Sequence, residues 1–159
     1  DPGTSVAPDE HVLFLKGDGL DAAHPLEING EANPDTLVLR VGRPARLRLL
    51  NLSTRNPSAT FWLTARTDSA FANMRDTLVV RWRPVAKDAL DVPAALQTLR
   101  AARQMVSMGE TYDFEYTPTH RGLLQLEVRT SPPPAIRVPH ILLIRVPIRV
   151  DTTASPPAR

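Results

Sequence analysis

The chain has 159 residues, of which 42% are hydrophobic, and this suffices for one ordinary hydrophobic core and favours a single domain. It has no cysteine, which excludes disulfides, thiolate chemistry and cysteine-ligated metal. Its formal net charge is only +2, without a clustered basic patch interleaved with aromatics, which argues against nucleic-acid binding, and no apolar run approaches the roughly 20 residues of a membrane span.

Prolines and period-2 alternation predict an all-β chain. The 16 prolines are roughly twice the usual share and favour short strands and constrained loops over long helices. We expect an extended arm over residues 1–10, one domain over residues 11–150 and a proline-rich tail over residues 151–159. Alternation predicts strands, in chain order, at residues 11–16, 26–30, 36–41, 45–52, 60–66, 78–83, 104–108, 112–116, 122–129 and 142–150. Turn signals between them predict a Greek-key β-sandwich or barrel.

Three local features bear on how these strands connect. Residues 93–103 have good helix propensity, but we favour a covering loop that leads into the next strand. We expect residues 112–116 and 122–129 to pair as a hairpin across a long loop, and Gly42 to form a hairpin turn before the arginine-rich strand. Pro147 lacks an amide hydrogen, which predicts an edge position or a bulge.

Four blocks of sequence, taken in order, resemble a known family. They are residues 28–30 (Ile-Asn-Gly), residues 39–51 (an arginine-rich run after Gly42), residues 85–88 (Val-Ala-Lys-Asp) and residues 109–114 (Gly-Glu-Thr-Tyr-Asp-Phe). Together they resemble the non-terminal, cupredoxin-like domain of bacterial multicopper oxidases. One departure is Asp88-Ala89, where the family usually has Asp-Gly in a turn that tolerates positive φ. The resemblance implies a copper-free, middle-domain type of module that serves as a spacer and interface.

The sequence lacks the copper ligands of that family. A blue-copper centre needs a cysteine thiolate and two histidines, commonly with an axial methionine, and there is no cysteine. The family's trinuclear site uses His-x-His pairs, whereas His11, His24, His120 and His140 are isolated. We therefore expect no metal and no cofactor, and we interpret the histidines as structural or surface residues. A surface metal site formed by His11 and His140 is the alternative.

Catalysis has no recognisable sequence signal. Ser107 and Ser131 lie near no triad motif, and Asp88 and Asp91 favour turn hydrogen bonds and a salt bridge over a carboxylate dyad. We therefore expect no enzymatic activity from this chain alone. The triplet that begins at Asn51 fits an N-glycosylation sequon, a pattern that also arises by chance.

Binding to other proteins is the remaining class of function. Extended segments dock by laying backbone against an edge or groove, so the arm and the tail are candidates. Arginines near the last strand can make charge-assisted contacts to an acidic neighbour, and an ordinary solvated strand face is the alternative. The candidate partner-binding residues are Asp1, Pro2, Val6, Arg137, Arg145, Arg149, Pro156 and Pro157.

These observations predict a copper-free, non-catalytic structural subunit of a larger exported complex. Its partners would be other protein subunits, in an assembly that is respiratory or photosynthetic. We expect that assembly to be periplasmic, because the polar start at Asp1 is typical of a mature exported protein. The alternative is a non-copper-binding domain of a multidomain multicopper oxidase, with the copper ligands elsewhere in a longer chain. A third reading, a metallochaperone or small-ligand binder, requires convergent histidines or an apolar pocket.

Overall fold

The computed structural model describes residues 7–19, 23–66, 78–130 and 142–152. Regular structure in these residues is almost entirely β. The strands are β1 (Asp9–Lys16), β2 (Glu27–Ile28), β3 (Leu37–Arg40), β4 (Ala45–Asn51), β5 (Ser58–Arg66), β6 (Leu78–Val79), β7 (Arg81–Lys87), β8 (Leu90–Asp91), β9 (Arg100–Ala101), β10 (Arg103–Ser107), β11 (Thr111–Tyr116), β12 (Gly122–Thr130) and β13 (Leu142–Asp151). A single turn of 3₁₀ helix spans Ala94–Leu96. No helix in these residues is long and apolar enough to span a membrane.

The strands form two sheets that pack as a sandwich. Sheet I has the order β2-β1-β4-β11-β7-β8, with β9 also paired to β7. Sheet II has the order β10-β5-β12-β13-β3, with β6 also paired to β5. Most neighbours are antiparallel, but β1 runs parallel to β4 and β3 runs parallel to β13. The all-β, Greek-key sandwich predicted from the alternation is therefore confirmed.

Alternating side chains of both sheets build one core between them. Leu47 and Leu49 of β4 and Phe114 of β11 are fully buried from sheet I, and Phe61 and Leu126 are fully buried from sheet II. Trp82 stacks on Phe114 with a centroid distance of 4.1 Å. Successive residues of each strand point alternately toward the core and toward solvent. The outward residues of each sheet are therefore available for function.

Both hairpins that the sequence predicted are wrong. β11 pairs with β4 and β7 in sheet I, whereas β12 pairs with β5 and β13 in sheet II. The turn at Gly42, whose φ is +74°, likewise leads from β3 in sheet II to β4 in sheet I. Each connection crosses from one sheet to the other, as Greek-key connections do, because the inward faces of two consecutive strands can then cover opposite sides of the core.

Other local expectations agree with the structure. The loop with the single 3₁₀ turn that was expected over residues 93–103 ends at residue 99, and β9 and β10 begin at Arg100 and Arg103. Pro147 pairs with Gln125 of β12, but the pairing of β13 with β3 starts only at Ile148. The strand has a partner on one side at Pro147, so this is an edge position, as predicted. β1 begins at Asp9 and β13 ends at Asp151; the division into arm, domain and tail stays a prediction.

Candidate functional site

The histidines of the described residues do not form a copper site. His24 lies in a loop, and Nδ1 of His120 lies 2.9 Å from the Thr119 hydroxyl in the loop before β12. His11 lies in β1 on the side of Leu13, and burial lowers its pKa below the usual 6.5 even though Asp9 opposes that shift. Within the described ranges no three His, Cys, Asp or Glu residues come together as metal ligands, so these residues do not fit copper. His140 lies outside those ranges.

The aspartates and the serine considered for catalysis have structural contacts. Asp88 Oδ1 accepts a hydrogen bond from the Thr111 backbone N–H at 2.9 Å, and its Oδ2 lies 4.0 Å from Lys87 Nζ. The salt bridge of Asp88 is confirmed, but its hydrogen bond reaches β11 instead of its own turn, so the expected turn bond is wrong; Asp91 pairs with Ala86 as part of β8. The Ser107 backbone N–H donates to Glu110 and, together with Lys87, holds the pKa of that carboxyl below its usual value. Ser131 lies outside the described residues.

Asn51 closes a buried corner at the end of β4. It is fully buried, and its Nδ2 donates to the carbonyls of Asn56 at 3.1 Å and Val106 at 3.2 Å. Its Oδ1 accepts from the Ser53 backbone N–H at 3.1 Å. The amide that a glycan would need is therefore enclosed and already bonded, so the folded domain cannot accept a sugar at this sequon. Asn51 thus binds backbone groups at the end of its strand.

The outward face of sheet I carries charges that are matched in pairs. Arg48 forms a bidentate pair with Asp113, through Nε at 2.9 Å and Nη2 at 2.7 Å, and the Asp113 side chain is buried. Glu115 accepts from Nη2 of both Arg46 and Arg83. Burial raises the pKa of Glu115, but the hydrogen bonds from Arg83 and Arg46 together with their positive charges hold the pKa below its usual value. Each of these arginines thus directs a terminal nitrogen to a carboxylate of the domain itself.

The outward face of sheet II is organised differently. The strand register places Arg103, Trp62, Glu127 and Arg145 in one row across β10, β5, β12 and β13. Glu127 is almost fully buried although it faces outward, and it accepts from Nε of both Arg129 and Arg145. The guanidinium groups of Arg129 and Arg103 lie over the Trp62 ring, 4.2 Å and 4.9 Å from its centre.

This face contains two of the predicted partner-binding residues, Arg145 and Arg149, whose side chains are each 55% exposed. The other six, Arg137 and those in the arm and tail, lie outside the described residues. Sequence reasoning missed Trp62, Arg103, Glu127 and Arg129 as a group. Their outward positions follow from alternation within each strand, but the row that joins them depends on pairing between strands far apart in sequence.

The methionines and the clefts add no chemical centre. Met105 lies on β10 and Met108 in the turn after it. Both are exposed, and Met74 lies outside the described residues. A cleft of about 400 Å³ between β7, β11 and the 3₁₀ turn has Tyr112 and Lys87 in its wall, with Lys87 Nζ 5.1 Å from the ring centre. Lys87 is already bonded to Glu110 at 2.9 Å.

Comparison with solved structures places this fold. Similar structures include a multicopper oxidase from Pediococcus acidilactici, with a TM-score of 0.58 and 12% identity, over 95% of this chain and 28% of that one. The blue copper oxidase of Nitrosomonas europaea has a TM-score of 0.58 and 13% identity, over 89% and 43%. A Campylobacter jejuni multicopper oxidase, a metallo-oxidase, has a TM-score of 0.58 and 13% identity, over 95% and 31%. No family model and no curated protein matches the chain.

At these identities the likeness establishes the fold and not the activity. The chain has the cupredoxin-like fold of the domains found in multicopper oxidases, as the four sequence blocks predicted. It spans 28–43% of the length of the three oxidases. One domain of such an oxidase is therefore the unit that it resembles.

Proposed function

We propose that this chain is a copper-free structural and interaction domain of a longer, multicopper-oxidase-like polypeptide. In this role it would space and brace the domains that hold copper, without carrying electrons itself. The single observation that carries the proposal is the coverage: nearly all of this chain aligns with less than half of each similar oxidase. The alternative, a separate subunit of an exported complex, has the same fold but a different polypeptide length.

The sequence supports a role without copper. With no cysteine, the chain alone lacks the thiolate that a blue-copper centre requires. Its histidines are separated along the chain, and the described ones take part in strand or loop structure. Any copper of the whole protein would then be held by residues outside this sequence.

The mass of the native polypeptide tests which assembly this domain serves. Antibodies against the 159-residue chain should detect, in the source cells, a single polypeptide several-fold heavier than 17.5 kDa. Its peptides should include His-x-His pairs and a cysteine. A native polypeptide near 17.5 kDa that copurifies with other proteins would instead favour the separate subunit.

Copper titration of the isolated chain tests the copper-free part. We expect no stoichiometric binding and no intense blue colour, because a copper–thiolate centre cannot form. The positive control is the full polypeptide identified by mass, which should become blue. Stoichiometric, chelator-resistant copper in the isolated chain would contradict the proposal.

Export to the periplasm is also part of the proposal. The absence of cysteine makes the fold insensitive to an oxidising compartment, which is compatible with export. Fractionation of the source cells should release the polypeptide with the periplasmic contents. Recovery with the cytosolic fraction would refute this localisation.

A further inference from the structure

The outward face of sheet II has an excess of positive charge. We call its residues the arginine face, and they are Arg40, Trp62, Arg103, Glu127, Arg129, Arg145, Arg149 and Asp151. Five arginines face two acidic side chains. Arg40 and Arg103 have no acidic partner within the described part of the chain. On sheet I, by contrast, Arg46, Arg48 and Arg83 are all paired with carboxylates.

The arginines of this face are held in place while their terminal nitrogens remain unused. Arg129 and Arg145 donate through Nε to Glu127, and Arg149 donates through Nε to Asp151 at 3.0 Å. No hydrogen bond from the Nη groups of these three is made to any described residue. A guanidinium fixed through Nε keeps donors available for a carboxylate, and less side-chain entropy is lost on binding.

Sheet I shows that this arrangement is not a general property of the surface. There Arg48 uses both Nε and Nη2 on Asp113, and Arg46 and Arg83 use Nη2 on Glu115. Each of these contacts directs one terminal nitrogen to a carboxylate of the domain itself. Among the described residues, Arg129, Arg145 and Arg149 of the arginine face differ in bonding through Nε alone, which leaves both of their terminal nitrogens unbonded.

The chemistry of the face favours carboxylates over nucleic acid. Trp62 is the aromatic residue of the face, and Arg103 and Arg129 already lie over its ring, so bases have no open platform to stack on.

The size of the face suits a tethered partner. From Arg103 to Arg145 the row crosses four adjacent strands, or about 14 Å, and from Arg145 to Arg149 the strand advances about 13 Å. The area that these two lengths enclose is far smaller than the roughly 800 Å² per partner of a standard interface, so the affinity for a free protein should be weak. A partner in the same polypeptide overcomes that weakness through its high effective concentration.

We infer that the arginine face is a docking surface for a carboxylate-rich surface of another domain in the same polypeptide. The covalent link between the two domains depends on the proposed function. The contacts between them are inferred from the described arginines alone. Arg129, Arg145 and Arg149 pair with carboxylates of the partner through their Nη groups. Glu127 positions two of the three.

Titration of the isotope-labelled 159-residue chain with a short polyglutamate peptide at low salt tests this inference. Amide and side-chain NMR shifts should concentrate on sheet II and include the Trp62 indole, identified by its loss in W62F. The variant E127Q/R129Q/R145Q should bind about tenfold more weakly, because two charge-assisted contacts are lost. Replacing Glu127 as well avoids leaving a buried carboxylate without a partner, which protects folding.

Two further variants separate charge from geometry. K16Q lowers the net charge by one, as does E127Q/R129Q/R145Q, but lies on β1 of sheet I, so its affinity should stay within about twofold of the unsubstituted chain. R145K/R149K keeps the charge but lacks the planar pair of Nη donors, and it should bind several-fold more weakly. If R145K/R149K binds the peptide as tightly as the unsubstituted chain, a contact through the planar pair of Nη donors is overturned.

Other outcomes would overturn the docking surface itself. These are the absence of a saturable shift at low salt, shifts that map to sheet I, or tighter binding of an oligothymidylate of equal charge, which would identify a nucleic-acid surface. The mass of the native polypeptide is measured independently. If the native polypeptide is several-fold heavier but the arginine face does not bind the peptide, this inference fails and the proposed function stands. If the native polypeptide is near the length of this chain but the face binds the peptide, the proposed function fails and the carboxylate contact stands.

Discussion

Ala89 is a position at which a single substitution should stabilise this domain. Asp88 and Ala89 form the two-residue loop between β7 and β8, with φ values of +49° and +64°. Two successive positive φ values in a two-residue hairpin are the geometry that favours glycine at the second position. The sequence has alanine there, in a conformation that its Cβ disfavours. The substitution A89G removes this conflict.

The expected gain follows from two opposing terms. The left-handed conformation costs a non-glycine residue about 1–2 kcal/mol. Glycine returns about 0.4–1 kcal/mol of that gain, because it gives the unfolded chain more freedom. Ala89 is exposed, so no packing is lost with its methyl group. We therefore expect A89G to increase the free energy of unfolding by about 0.5–1 kcal/mol, which for this length raises Tm by about 1–4 °C.

Asn29 provides the matched control. Its φ is +55°, but its Oδ1 accepts from the Phe14 backbone N–H at 3.0 Å and its Nδ2 donates to the Val12 carbonyl at 2.8 Å. N29G should lower stability by about 1–2 kcal/mol, because two hydrogen bonds are lost at a position of similar backbone geometry. Thermal unfolding followed by circular dichroism measures both variants. A Tm of A89G that is unchanged or lower, or a gain in N29G, would refute the reasoning.

Three further changes test the interior and its charges. R48A should lower the free energy of unfolding by about 3 kcal/mol, because it leaves the buried Asp113 carboxylate unpaired. R48M/D113L should restore most of that loss when both variants are unfolded in urea. Equal losses in the two variants would contradict this. The pKa of His11 in the folded state lies below 6.5, so the unfolded state binds more protons as the pH falls below 6.5. The free energy of unfolding should therefore decline below pH 6.5. H11L should make it less dependent on pH in that range. N51A should lose about 2–3 kcal/mol through its unpaired buried backbone groups, and mass spectrometry of the folded domain made in a glycosylating host should find no sugar on Asn51.

Local patterns of the sequence predicted which residues face the core. In β13 the side chains of Ile144, Val146 and Ile148 are buried, while Arg145 and Arg149 face outward, as the alternation requires. The unusual turn at Asp88 was visible as a departure from Asp-Gly. These predictions succeed because the period of a strand and the conformational limits of alanine are properties of neighbouring residues.

The pairing of strands was beyond such local information. The loop after β11 and the turn at Gly42 both have the composition of hairpin connections, and both instead lead to the other sheet. Turn residues specify that the chain changes direction, but burial on both sides of the core decides which strand becomes the neighbour. In this fold β4 pairs with β1 and β11, which lie far from it in sequence.

The arginine face shows the same limit at the level of function. Arg145 and Arg149 were predicted as partner contacts from one strand, where an ordinary solvated face explains them as well. What distinguishes Arg145 is Glu127, which belongs to another strand, is almost fully buried on an outward face and binds Arg129 and Arg145 together. A buried carboxylate shared by two arginines costs desolvation that a simple solvated strand would avoid. That cost is understandable if the fixed guanidinium groups serve a partner, and this is the reason to test the face before the arm or the tail.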